Sequence, residues 1–349
     1  MNPIPSGGRF RAYIEFLFAI LYFLAAKMLA QRWIHQARLD QGSPLAEQAI
    51  LALLLLFGFA LMGIILSRQS NPISAQGWPF RKGFPGEIGL GLTVGWGLAV
   101  ACVLPLALFG GIAIRISGDA SAWRWLLADA AFFALSALNE EVAFRGYAFQ
   151  RFAAALSGVP AALAFAVVYA ILQNFQRGSS TASLFVSMAL GLLLSTAYLR
   201  TKALWLSWGL NFAWKASRAL LFGLAISGDN SHTPVVQGDP MGPFWITGGG
   251  FGLDGTWIAF FVVLAAIPVL YRLTRELDFR WNAPVIVPGG IPVDIDAAAQ
   301  RQHETAMGPS EPAPQPLVQI QPAGIVQQEG PPNQGEPDDT ATGAGPAIR

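Results

Sequence analysis

The chain has 349 residues, of which 53% are hydrophobic and only 12% charged, and its mean hydropathy is +0.45. A soluble domain carries about twice that share of charge, so the composition excludes one and points to a polytopic membrane protein. A net charge of +1 without a basic stripe argues against nucleic acid as a partner, and one cysteine, Cys102, excludes an internal disulfide framework or a cysteine zinc cluster.

Arg9 and Arg11 precede an apolar run too long for a cleavable signal and without a clear small-residue cleavage site, so an uncleaved first span is expected. Apolar stretches at about 12–33, 47–67, 87–109, 123–155, 159–176, 182–199, 203–225 and 256–272 are predicted to be membrane-spanning helices, about eight in all. Cys102 falls in the third and is expected to pack as a small apolar side chain. An even number of spans puts both termini on one side. Arg68, Arg81, Lys82, Arg151, Arg200 and Lys202 fall on that side, whereas 219–271 holds no Lys or Arg, so both termini are expected to be cytoplasmic in a multi-pass cell-membrane protein. The cations between Arg32 and Arg38 run against that rule.

The loop at 227–255, with Gly248-Gly249-Gly250, reads as turns and a lip over the bundle; a phosphate-cradling loop would want a strand before it and a helix after. From 281 to 349 the chain turns to Pro, Gln, Ala, Gly and acidic residues without apolar periodicity, and a disordered tail is expected after a membrane domain at 1–280. The fold expected is all-α, a polytopic helix bundle around a polar intramembrane cavity.

Asn139-Glu140-Glu141-Val142-Ala143-Phe144-Arg145-Gly146-Tyr147 lies inside the fourth apolar run. Each charge at membrane depth costs about 2.5–3.5 kcal/mol on insertion scales, so such groups face a protein interior and usually serve a function. On a helix Glu141 and Arg145 are four apart and can pair, which leaves Glu140, about 100° away, without a local partner and makes it the candidate for chemistry. The competing reading is an ion-paired packing device between helices. Tyr169 and Gln173 share one face of the fifth span, and Asn211 and Lys215 share one face of the seventh. Either these are interhelical hydrogen-bond glue, or three polar faces meet at one interior site.

With these residues in view the chain resembles the CAAX proteases and bacteriocin-processing enzymes, the CPBP or Abi family of intramembrane endopeptidases. Glu140, Glu141 and Arg145, followed by Gly146, match its Glu-Glu-x-x-x-Arg motif, and the likeness continues through Gly191-Leu-Leu-Leu, Tyr198-Leu-Arg-Thr, Leu204-Trp-Leu-Ser-Trp-Gly-Leu and Phe251-Gly-Leu-Asp, covering about 122–272. The family's other motifs are Phe-x-x-x-His and His-x-x-x-Asn or Asp; the chain has Tyr169-x-x-x-Gln173 and Asn211-x-x-x-Lys215 at the matching positions. The remaining histidines, His35, His232 and His303, are expected to be solvated, in a loop after the first span, in the Gly-rich loop and in the tail.

In intact members, the resemblance implies, the first glutamate activates a water that the histidines help to place. An amide at those positions cannot take up a proton as imidazole does, and two neighbouring carboxylates fall short of the three ligands a catalytic metal wants, so no metal and no cofactor is expected. Lys215 adds a counter-charge for Glu140, and a cation beside a carboxylate weakens it as a base. Two readings follow. One is a degenerate homologue, catalytically impaired and acting in membrane binding or scaffolding, whose partners are the lipid bilayer and a membrane-associated or prenylated peptide. The other is a working endopeptidase with Glu140 as base and Gln173, Asn211 or Lys215 as oxyanion donors. A lysine deprotonated by burial, acting as base itself, and a solute transporter stand behind these.

Overall fold

In a computed structural model the described residues are 6–36, 44–66, 68, 71–116, 120–175, 178–232, 234–282, 285–286 and 292–293. In chain order they form α1 (Ser6–Gln36), α2 (Pro44–Ile65), the single turn α3 (Pro72–Ala75), α4 (Phe84–Leu108), β1 (Ile112–Ile116), α5 (Ala120–Arg145), α6 (Tyr147–Leu156) and α7 (Gly158–Gln173). There follow α8 (Thr181–Thr201), α9 (Trp205–Ala216), β2 (Val236–Pro240), α10 (Phe244–Thr247), α11 (Trp257–Leu273), α12 (Arg275–Asn282), β3 (Val285–Ile286) and β4 (Pro292–Val293). The chain is an all-α membrane helix bundle. Helices α1, α2, α4 and α8 are long and apolar enough to cross a bilayer, and α7 and α11 are shorter apolar helices.

Among the described residues two large apolar clusters and a smaller one, Phe133 with Ala219 and Leu220, hold the bundle. One gathers Leu98, Cys102 and Val103 of α4, Leu190 and Leu194 of α8, Leu206 and Trp214 of α9 and Val263 of α11; Cys102 is fully buried there. The other large one gathers Ala19 of α1, Phe59 of α2, Phe149 of α6 and Ala162 of α7. Glu15, buried in α1, accepts from Tyr147 Oη at 3.3 Å and Arg151 Nη1 at 3.5 Å, which pins α1 to α6. Side-chain caps fix two helix starts: Ser180 and Ser183 form a capping box before α8, and Thr256 Oγ1 accepts from Ala259 N at 3.1 Å before α11.

Three expectations are corrected. The fourth apolar run is not one long helix. It breaks at Gly146, where a Cβ would stand 2.2 Å from the Val142 carbonyl oxygen, a separation no side chain tolerates. Gly146→Ala is therefore expected to cost about 1–3 kcal/mol of stability, read as a lowered Tm in detergent. The loop regions also hold a small antiparallel sheet, β1 on β2, with Ile114 opposite Gly238. His35 lies in the last turn of α1 rather than in a loop. The tail expected at 281–349, with His303, lies outside the described residues apart from 281–282, 285–286 and 292–293.

Candidate functional site

α5 packs between α2 and α9 and carries Ser136, Asn139, Glu140, Glu141 and Arg145, with Asn139, Glu141 and Arg145 buried. Glu141 Oε1 accepts from Arg145 Nη1 at 3.3 Å, the i, i+4 pair within the helix, and Arg145 Nη2 donates to the Gly191 carbonyl at 3.1 Å. The Arg145 guanidinium also lies 5.2 Å from the centre of the Tyr169 ring. Asn139 turns to α2 instead, donating to Gln48 Oε1 at 2.8 Å.

Glu140 collects donors from two other helices. Its Oε1 accepts from Lys215 Nζ at 2.5 Å and from Gln173 Nε2 at 3.4 Å. Its Oε2 accepts from Tyr169 Oη at 3.2 Å and from Asn211 Nδ2 at 3.1 Å. Asn211 Nδ2 reaches Glu141 Oε1 as well, at 3.0 Å, so one amide ties the two carboxylates together. Lys215 Nζ donates to Ser136 Oγ at 3.1 Å. Glu140, Glu141, Arg145, Gln173, Asn211 and Lys215 thus stand in one linked network, two anions against two cations, assembled from α5, α7 and α9.

Glu140, Tyr169, Gln173 and Lys215 line a cavity of about 630 Å³, within the range that holds small ligands. Several of its other walls were not singled out from sequence. Ser136 is one turn before Glu140 and Arg218 is three residues after Lys215, so helical spacing carried the signal for both. Arg218 Nη1 pairs with Asp254 Oδ1 at 2.6 Å, its guanidinium sits 4.1 Å from the Trp214 ring centre, and Ser227 Oγ donates to Asp254 Oδ2 at 3.2 Å. His232 is not a solvated side chain: only 10% of it is exposed, its ring centroid lies 4.4 Å from that of Phe133, and it lines the same cavity 3.6 Å from Asp229. Nothing in the local sequence announces that placement, which depends on the 226–232 loop turning inward.

Among the described residues no group of three or more His, Cys, Asp or Glu side chains gathers closely enough to hold a metal ion. Glu140 and Glu141 are each committed to a cation, and this donor set does not fit a catalytic metal centre.

A family model described as "Type II CAAX prenyl endopeptidase Rce1-like" matches residues 121–217, the stretch that carries all six members of the network. Over that stretch the chain is similar to the type II CAAX prenyl endopeptidases. No curated protein and no solved structure matches it. The family segment ends at 217, so Arg218, Asp254 and the loop bearing His232 lie outside the match.

Proposed function

We propose that this CAAX-protease-like membrane protein works by binding, its cavity holding a membrane-associated or prenylated peptide that Glu140 does not hydrolyse. The observation that carries this reading is the state of the Glu140 carboxylate. A carboxylate offers about four lone-pair sites, and Lys215, Gln173, Tyr169 and Asn211 supply four donors to them. A general base must reach the proton it abstracts through a free lone pair, and this one faces an ammonium 2.5 Å away. The rings of Phe132, Phe133 and Trp214 beside Ser136, Ser187 and His232 give the cavity both apolar walls and hydrogen-bonding groups, as a lipid-bearing peptide end would need.

Purified protein is expected to bind prenylated peptides and to cleave neither these nor bacteriocin-like peptides above background, with chelators changing nothing. The triple change Lys215→Asn, Gln173→His, Asn211→His frees Glu140 from its counter-charge and restores the residues of the resemblance; some cleavage is expected to appear. Robust cleavage by the unmodified protein that is lost in Glu140→Gln would establish the endopeptidase reading in its place.

We place both termini at the cytoplasmic face, because the segment 219–271 lacks Lys and Arg. Ser231 is exposed in that segment and Cys102 is buried, so a Ser231→Cys variant gives a clean reporter. A membrane-impermeant maleimide is expected to label it in intact cells; labelling only after permeabilisation reverses the topology.

A further inference from the structure

Arg218 lines the Glu140 cavity and is only 1% exposed, yet its guanidinium is not fully used. It carries five N–H donors. Nε donates to the Trp214 carbonyl at 2.9 Å and Nη1 to Asp254 Oδ1 at 2.6 Å, while Nη2 has no hydrogen-bond partner among the described residues and is not sealed from the cavity. The Trp214 ring, its centre 4.1 Å away, fixes the guanidinium plane. Ser187 of α8 is a second open group: it is 8% exposed, lines the same cavity, and its hydroxyl has no partner among the described residues. Other α8 hydroxyls are satisfied within the helix, Thr196 on the Leu192 carbonyl at 2.8 Å and Thr201 on that of Ala197 at 3.0 Å. Buried polar groups are normally paired, so open ones facing a cavity point to a ligand that pairs them.

The charges of the wall decide what that ligand is. Among the described lining residues the carboxylates are Glu140, Asp229 and Asp254 and the cations are Lys215 and Arg218, with His232 counted as neutral. Each cation already belongs to a carboxylate, Lys215 to Glu140 at 2.5 Å and Arg218 to Asp254 at 2.6 Å. Behind them Glu141 and Arg145 balance each other. The charge left over is the negative one of Asp229. An incoming carboxylate therefore meets one like charge and no spare cation, in a cavity where an unpaired ion is costly. A neutral carbonyl needs only a donor, and Arg218 Nη2 supplies it.

We propose that the cavity selects its ligand by charge, taking a lipid-bearing peptide whose terminal carboxyl is blocked as an amide and rejecting the free acid, with the amide carbonyl accepting from Arg218 Nη2. This selectivity rests on the peptide binding proposed above and names which peptide end the site takes.

The test uses the full chain in nanodiscs of zwitterionic lipid at neutral pH, with one farnesylated peptide made both as its C-terminal carboxamide and as its free acid. The carboxamide is expected to bind about tenfold or more tighter. Part of any such ratio reflects how each probe partitions into lipid, and that part is the same for every variant. Asp254→Asn leaves Arg218 with a spare positive charge and is expected to bring the acid level with the carboxamide or ahead of it. Asp229→Asn changes a side chain that is 53% exposed and keeps both ion pairs, and it is expected to narrow the ratio about threefold. That variant keeps the test decisive where Asp254→Asn fails to fold. An acid that binds the parent as tightly as the carboxamide overturns the proposal and leaves the binding reading standing, as does a ratio that neither aspartate variant shifts. Binding of neither probe overturns both.

Discussion

Lys215→Met is expected to destabilise the bundle by about 3–5 kcal/mol, the cost of removing one partner from a buried ion pair. Its ammonium stands 2.5 Å from Glu140, and the two side chains are only 9% and 20% exposed. Without it, the Glu140 anion keeps three neutral donors and no cation of its own, since Arg145 is committed to Glu141. Glu140→Gln alone is expected to move stability the same way, because it leaves Lys215 with Ser136 as its remaining partner. The double variant removes both charges at once and is expected to be more stable than either single variant, a non-additivity that thermal melting of all four proteins in one detergent would measure. A Lys215→Met protein within about 0.5 kcal/mol of the parent would show that the pair does not hold the helices together. The same cycle bears on function. If Lys215→Met gains peptide cleavage while losing stability, the lysine is what keeps the carboxylate from water.

The network was legible in the sequence because helical spacing carries face information. Glu141 and Arg145, Tyr169 and Gln173, and Asn211 and Lys215 are each four apart, and the cost of polar groups against lipid turns three faces inward. The pairing of Glu140 with Lys215 followed from charge alone. Other features left no such trace. The break at Gly146 depends on the approach of the Val142 carbonyl, and a glycine inside an apolar run reads equally well as plain helix. β1 alternates isoleucines in Ile112-Ala-Ile-Arg-Ile, a period-2 signal, but its partner Val236-Gln-Gly-Asp-Pro contains a glycine and a proline and reads as turn. His232 and Asp254 reach the cavity through tertiary placement of a loop, which no periodicity encodes.

Gly95→Leu is expected to abolish both the fold around the site and peptide binding, the largest effect of any single change away from the network. α4 lies against α9 backbone to backbone: a Cβ at Gly91 would stand 2.4 Å from the Leu206 carbonyl oxygen, and one at Gly95 would stand 2.3 Å from that of Leu210. From the other side, a Cβ at Gly209 would meet the Ile88 carbonyl at 2.8 Å. Glycines four apart on one helix allow this approach, and in a membrane, where apolar side chains gain nothing by leaving lipid, such packing is a main source of helix association. The obstructing atoms are backbone, so no rotamer change relieves them and α9 must move. Leu210 is followed by Asn211, and Lys215 is about one turn further on, so displacement of α9 withdraws both donors from Glu140. Gly95→Ala is expected to cost about 1–3 kcal/mol and Gly95→Leu more, since each added carbon must be accommodated. Gly97 is the internal control, because nothing lies within 4 Å of a Cβ built there. Gly97→Ala is expected to be neutral or to stabilise α4 by about 0.5–1 kcal/mol through helix propensity. Melting temperatures of the three variants, with binding of a fluorescent prenylated peptide measured in parallel, decide the matter. A Gly95→Leu protein that melts like the parent and still binds the peptide would mean that the α4–α9 contact does not position Asn211 and Lys215.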